Sequence, residues 1–199
     1  MEKILQWDHQ LFLSVNNGWQ NAFLDLIMPL LTLLGDIWYM SLIVTLLLFF
    51  MDKKHFKKNM ILFVAIIFCS GLVGQFIKHF VGRPRPLKDM AELISSHRVY
   101  IHVIGKELKE LSFPSGHAVT AFSLATFLSL LRGRWAPLFI ILAFLTGISR
   151  VYMGAHFPLD VLGGMFVGVI VSLAVYFTFQ KFIFGPTPQG LQSKMDNHR

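Results

Sequence analysis

Three short polar clusters interrupt a chain that is otherwise almost entirely apolar. They are Lys78 with Arg85 and Pro86, then Pro114, Ser115, Gly116 and His117, then Ser149, Arg150, His156 and Asp160. Cations and imidazoles are costly at membrane depth, so polar groups at the ends of apolar runs read first as a functional site. Lys78, Arg85 and Arg150 are cations, His117 and His156 imidazoles, and Asp160 a carboxylate. That set suits phosphate, because guanidinium forks and the free N–H groups of a helix start match its oxygens in charge and geometry.

Each cluster has its own chemistry. Pro114-Ser115-Gly116-His117 reads as a helix opening with Pro114 near the first helical position, where its missing N–H costs nothing. Ser115 adds a hydroxyl and Gly116 lets a ligand approach the backbone, giving an anion site with His117 on its rim. An ordinary capped helix start with a surface histidine fits the same four residues. His156 and Asp160 stand four apart across Pro158, at a spacing that puts them on one face of a helix mouth. A carboxylate on one ring nitrogen fixes the tautomer and frees the lone pair of the other, which is a nucleophile or base held in position. A purely structural His–Asp pair is the plainer alternative.

Lys78, Arg85 and Arg150 form a charge clamp for phosphate oxygens, with Arg83 a second candidate in the same loop. Lys78 also fits a snorkelling lysine at a helix end. A zinc site built from His102, His117, His156 and Asp160 is disfavoured, because no His-Glu-x-x-His or paired-Cys spacing exists and three cations would oppose a divalent metal. No metal and no cofactor are expected. Gly163, Gly164 and Gly168 read as close-packing small residues, and His97 and His102 as polar groups of a loop.

The elements that must position these groups are helices. The chain has 199 residues, 54% hydrophobic and 15% charged, with a mean hydropathy of +0.58. A soluble domain would carry about a quarter charged residues, so the composition indicates an integral membrane protein. The fold expected is all-α, a bundle of five to six transmembrane helices behind an amphipathic N-terminal segment. Crossings are expected at 37–51, 60–80, 114–131, 135–152 and 158–180. Residues 1–34 read as interfacial or half-inserted helix, with a sixth crossing as the alternative.

One membrane domain over 1–199 is expected, with a core over 35–182, an active-site loop over 81–113 and a cytoplasmic tail over 183–199. The start, Met1 to Asp8, lacks both a basic n-region and a small-residue cleavage site before a compact apolar stretch, so no removed signal peptide is expected. The formal net charge is +7, yet the cations are spread through loops and not gathered as a nucleic-acid footprint, so no nucleic-acid partner is expected. Cys69 is the lone cysteine and reads as a small core residue. No feature of the sequence specifies an oligomeric state.

The basic turn Lys53-Lys54-His55-Phe56-Lys57-Lys58 is placed in the cytoplasm by the positive-inside rule, and counting crossings puts Arg132, Arg134 and the tail with Lys181, Lys194 and Arg199 there too. The loop 81–113, with Arg83, Arg85, Lys88, Arg98, Lys106 and Lys109, would lie outside and opposes the rule. On this count all three polar clusters fall on one extracytoplasmic face of the inner membrane.

The spacing Lys78-(six residues)-Arg85-Pro86, then Pro114-Ser115-Gly116-His117, then Ser149-Arg150-(five residues)-His156-(three residues)-Asp160 resembles the type-2 phosphatidic acid phosphatase superfamily, matching its signature motifs in order. The resemblance implies a helical membrane phosphatase that needs no metal and forms a phosphohistidine. By matching position it implies His156 as nucleophile, Asp160 as its orienting carboxylate, and His117 as the acid that protonates the leaving oxygen and then the base for water. It assigns phosphate binding to Lys78, Arg85, Ser115, Gly116 and Arg150. The expected substrate is a lipid phosphate or diphosphate held among membrane lipids. Undecaprenyl diphosphate is the first choice, and phosphatidylglycerol phosphate, phosphatidic acid and lipid A phosphate are alternatives, as is phosphoryl transfer to another lipid. From other classes, a noncatalytic lipid-phosphate binder or transporter and a structural subunit stay open.

Overall fold

The computed structural model describes residues 2–184, and every regular element among them is helical. The chain runs through α1 (Glu2–Gly18), α2 (Ala22–Thr32), α3 (Ile37–Met51), α4 (Phe56–Val81), the short α5 (Pro86–Asp89) and α6 (Ala91–Ser95), then α7 (Gly116–Leu131), α8 (Ala136–Tyr152) and α9 (Pro158–Phe184). The helices fall where the apolar runs predict. The expected tail begins inside α9, and the remainder of it, with Lys194 and Arg199, lies outside the described residues.

Among the described residues, three helical stretches, containing α4, α8 and α9, are long and apolar enough to cross a membrane. The pair α2 and α3, bent by 68° at a short break, would make a fourth as a broken span or a re-entrant loop. The bend has a local cause: Asp36 caps α3, its Oδ1 accepting the Trp38 N–H at 2.9 Å, which starts a new helix axis immediately after the turn at Leu33–Gly35. A side chain at Gly35 would lie 2.7 Å from the Cβ of His117. Only glycine therefore lets this corner press against the start of α7.

Helix α7 has 16 residues, about 24 Å of length, and is the central element, packed on α4, α8 and α9. Two glycines bring α9 against its backbone. A Cβ at Gly164 would lie 2.7 Å from the Ser115 carbonyl, and one at Gly168 would lie 2.7 Å from the Val119 carbonyl. This is the close-packing role that their four-residue spacing suggests. Below the polar end, Leu48, Leu62, Ile66, Leu124 and Phe127 form the main apolar core. The outer faces of α4 and α9 expose Phe68, Phe76, Phe80, Phe166 and Phe177, as helices facing lipid do.

Helix α1 is amphipathic in an unexpected way. The side chains it buries, spaced four apart, are Asp8, Phe12 and Asn16, so two of three are polar. Asn16 donates to the backbone carbonyls of His102 and Tyr152 at 2.8 and 2.7 Å, and thereby ties α1 to the long loop and to the end of α8.

Candidate active site

Four helix ends meet at one end of the bundle: the last turn of α4 with Lys78, the start of α7, the last turn of α8 with Arg150, and the first turn of α9 with Asp160. The first turns of α7 and α9 are joined directly, the Ser115 N–H donating to the Asp160 carbonyl at 2.9 Å. His156 sits in the loop between α8 and α9, where the N–H groups of Ala155 and His156 both reach the Arg150 carbonyl. Gly154, at φ +73°, makes that tight return possible.

His156 is 2% exposed and Asp160 fully buried. The carboxylate does not touch the ring directly. Nδ1 of His156 lies 3.7 Å from Oδ2 of Asp160, beyond hydrogen-bond range, and 3.4 Å from Oγ of Ser112. Ser112 in turn bonds Oδ2 at 2.5 Å. The same oxygen accepts the Phe157 N–H at 2.9 Å, so Asp160 also caps the start of its own helix from the third position. The direct His–Asp bond expected from the spacing is thus replaced by a bond through Ser112.

On the other side of the ring, Nη1 of Arg85 lies 3.2 Å from Nε2. Arginine can only donate, so Nε2 carries the lone pair and Nδ1 the proton. The chain of bonds is then complete, from Nδ1–H to the Ser112 oxygen and from the Ser112 hydroxyl to Asp160. Burial pushes the His156 imidazole down to about 3, against the pull of Asp160 and with the help of the Arg85 charge. It is neutral at ordinary pH.

Lys78 and Arg85 are fixed by backbone carbonyls, and Arg150 by a hydroxyl. Arg85 donates from Nε to the Glu110 carbonyl at 2.7 Å and from Nη1 to the Ala155 carbonyl at 3.0 Å. Lys78 reaches the Leu111 carbonyl at 3.0 Å, and Arg150 holds Thr32 of α2 at 2.9 Å. Nε of Arg150 and Oγ of Ser115 are buried without a partner. Unpaired buried polar groups are costly, and both atoms are free to bond a polar ligand. Lys78 and His117 line one cavity together.

Helix α7 begins at Gly116, with Ser115 as its cap residue. Pro114 therefore lies just outside the helix and not at its first position. The first-turn N–H groups of Gly116, His117 and Ala118 face this end. Beside them lies a cavity of about 270 Å³, lined by Ile37, Gly71, Gly74, Lys78 and His117 among others, between α4, the start of α7 and the corner before α3.

Arg83, the second candidate for the clamp by sequence, pairs with two carboxylates: Nη1 bonds Asp160 Oδ1 at 2.7 Å and Nη2 bonds Asp8 Oδ2 at 2.6 Å. His102 is a polar group of the loop, as its sequence suggests, and bonds Asp25 at 2.9 Å. Among the described residues, no three His, Cys, Asp or Glu side chains gather to hold a metal ion. Ser112 and Asp8 were missed. Ser112 lies in an irregular loop where no periodicity singles it out, and Asp8 reads as the wet side of an amphipathic helix.

Fold and site together define a class, the helical membrane proteins with a cationic site at converging helix mouths. The PAP2 superfamily pattern matches residues 58–184, which takes in all three clusters, and the chain belongs to that superfamily. It is a phosphatase of this family, with relatives that are lipid phosphatases. It is 33% identical over 180 residues to the lipid A 4'-phosphatase of Bacteroides thetaiotaomicron, covering 87% of this chain and 77% of the relative. It is 29% identical to the undecaprenyl-diphosphatase BcrC of Bacillus subtilis, covering 88% and 86%. The crystal structure of Aquifex aeolicus LpxE shares the fold with a TM-score of 0.69 at 28% identity, covering 84% of this chain and 93% of that one. That of the PAP2-type phosphatidylglycerolphosphate phosphatase from Bacillus subtilis does so with a TM-score of 0.70 at 24% identity, covering 91% and 88%.

Proposed function

We propose that this chain hydrolyses a lipid phosphate or diphosphate, without a metal, through a phosphohistidine on His156. The observation that carries the reading is the hydrogen-bond chain from His156 Nδ1 through Ser112 to Asp160, which leaves Nε2 with a lone pair aimed at the cationic pocket. Lys78, Arg85, Arg150, the Ser115 hydroxyl and the Gly116 N–H hold the phosphate oxygens and stabilise the charge that spreads over them in transfer. Nε2 attacks the terminal phosphorus, a P–N bond forms, and the bond to the leaving oxygen breaks as His117 gives that oxygen its proton; the leaving group is the lipid alcohol of a monophosphate or the lipid monophosphate of a diphosphate. His117 then takes a proton from water, whose oxygen attacks phosphorus and releases inorganic phosphate with His156 restored.

The cavity beside His117, lined by residues of α4 and α7, is the route proposed for a substrate whose tail stays in the bilayer. Five helices, α3, α4, α7, α8 and α9, serve as the crossings in this reading. Arg132 at the end of α7 donates to the Met51 carbonyl at the end of α3, and Lys58 at the start of α4 meets Gln180 near the end of α9 at 3.4 Å. These bonds align the helices at the end opposite the site. The basic residues Lys53, Lys54, Lys57, Arg132 and Arg134 gather at that same end, which supports a cytoplasmic location for it and an extracytoplasmic site in the inner membrane.

Undecaprenyl diphosphate is the first substrate proposed, since an outward-facing site suits recycling of an envelope carrier lipid. A lipid A phosphate is the second reading, favoured by the Bacteroides relative. Phosphate release from detergent-solubilised undecaprenyl diphosphate, lipid A, phosphatidylglycerol phosphate and phosphatidic acid, with EDTA present, tests both. The expected result is turnover by the native chain and none by His156→Ala. Lipid binding without phosphate release by the native chain would leave a noncatalytic binder.

A further inference from the structure

The catalytic carboxylate proposed above has a second side, and that side leads to the peripheral helix α1. Oδ2 of Asp160 serves Ser112 and the Phe157 N–H, while Oδ1 is held by Nη1 of Arg83 at 2.7 Å. The other terminal nitrogen of Arg83 holds Oδ2 of Asp8 at 2.6 Å. The remaining oxygen of Asp8 accepts the N–H of Leu159, the residue before Asp160, at 2.8 Å. One carboxylate on α1 therefore grips both the cation that orients Asp160 and the backbone beside it.

We infer that Asp8 and Arg83 are positioning residues for the His156–Asp160 pair, and that α1 is part of the catalytic apparatus and not only a membrane-surface helix. The inference rests on the assignment of His156 and Asp160 given above. Three features separate this arrangement from a surface ion pair. Both carboxylates have side chains with no exposure, and the Arg83 side chain is 15% exposed, so water does not screen the interaction. The guanidinium is bidentate between two acids, a fork that the point charge of a lysine cannot reproduce. Its plane is also fixed by packing, with Cζ 4.4 Å from the ring centroid of Phe157 and His9 of α1 stacked on the same ring at 4.9 Å.

The charges explain why two acids are needed. Arg83 alone would neutralise Asp160, which must keep negative charge to steady the His156 ring as it takes on positive character in the phosphohistidine. Asp8 balances Arg83 and leaves the trio with one net negative charge. Arg83 is accordingly turned away from phosphate, with both terminal nitrogens committed to carboxylates.

The test is steady-state phosphate release on whichever lipid phosphate the native chain hydrolyses, using Asp8→Asn, Arg83→Lys, Arg83→Gln and the Asp8→Asn/Arg83→Gln double variant, with inorganic phosphate as a competitive probe of the clamp. Asn keeps an acceptor for the Leu159 N–H but cannot pair with Arg83. Asp8→Asn is expected to lower kcat by about 10- to 100-fold, the usual loss when a supporting partner of a site ligand is removed. KM and the inhibition constant of phosphate are expected to stay within about twofold, because the clamp is untouched. Arg83→Lys should retain more kcat than Arg83→Gln, and the double variant should be no worse than Arg83→Gln alone.

An unchanged kcat in Asp8→Asn overturns the inference, and so does a rise in the phosphate inhibition constant in Arg83→Gln, which would return Arg83 to the clamp. Thermal unfolding in detergent checks that each variant folds; should Asp8→Asn fail to fold, the order of Arg83→Lys and Arg83→Gln in kcat at constant KM decides. A native chain that releases phosphate from no probe overturns the underlying assignment, whereas an active native chain with a fully active Asp8→Asn overturns only this inference.

Discussion

Nη1 of Arg85 sits 3.2 Å from Nε2 of His156, so in this structure the clamp guanidinium caps the nitrogen that the proposed mechanism needs as nucleophile. Attack requires that lone pair, so an arriving phosphate must draw the N–H of Arg85 onto its own oxygens. In the proposed mechanism, substrate binding and release of the nucleophile are one event.

Replacing Arg85 tests this exchange. Arg85→Gln removes a donor to phosphate and the charge opposite the developing anion, and is expected to lower kcat/KM by about 100- to 1,000-fold, the range for losing one oxyanion donor. Arg85→Lys should recover only a small part, because the carbonyls of Glu110 and Ala155 are positioned for separate nitrogens of a planar fork. Initial-rate kinetics on a lipid phosphate gives the answer.

Ser112 carries the bond between His156 and Asp160, at 3.4 and 2.5 Å. Ser112→Ala leaves Nδ1 without its near acceptor and Asp160 without a charge-assisted donor, a loss of about 1.5–3 kcal/mol. The expected consequence is a fall of about 10- to 100-fold in kcat with little change in KM. A full-rate Ser112→Ala enzyme would mean that His156 reaches Asp160 directly.

The pH dependence follows from burial of His156. With its folded pKa down at about 3, the nucleophile stays unprotonated through the physiological range, so its titration should put no acid limb on kcat/KM between about pH 5 and 7. For stability the sign is fixed by the same shift. The unfolded imidazole takes its proton near 6.5 and the folded one resists to about 3. The contribution of His156 is therefore present above 6.5 and is lost progressively as pH falls towards 3. Thermal midpoints of the native chain and His156→Gln, measured from pH 7 to 4 in detergent, should show the native chain losing more.

Gly164 and Gly168 fix the distance between α7 and α9. A methyl group at either would lie 2.7 Å from a backbone oxygen of α7, and backbone cannot yield as a side chain tip does. Gly164→Ala is expected to destabilise by about 1–3 kcal/mol, and to lower activity further, because the Ser115 to Asp160 bond spans the same gap. Thermal unfolding alongside phosphate release measures both effects.

The sequence by itself determined the membrane class, the helix positions and the clusters around Lys78, Arg85, Ser115, Gly116, His117, Arg150, His156 and Asp160. Apolar runs and their polar ends are local properties, legible wherever a helix must match a bilayer. The glycine spacing on α9 was legible for the same reason. The tertiary structure alone decided that Arg83 bonds Asp160, that Ser112 stands between His156 and Asp160, and that Asp8 bonds Arg83. Those contacts join residues 77, 48 and 75 positions apart. A buried charge is identical in sequence to a solvated one, and only the fold, by excluding water and bringing opposite charges together, gives it a partner and a purpose.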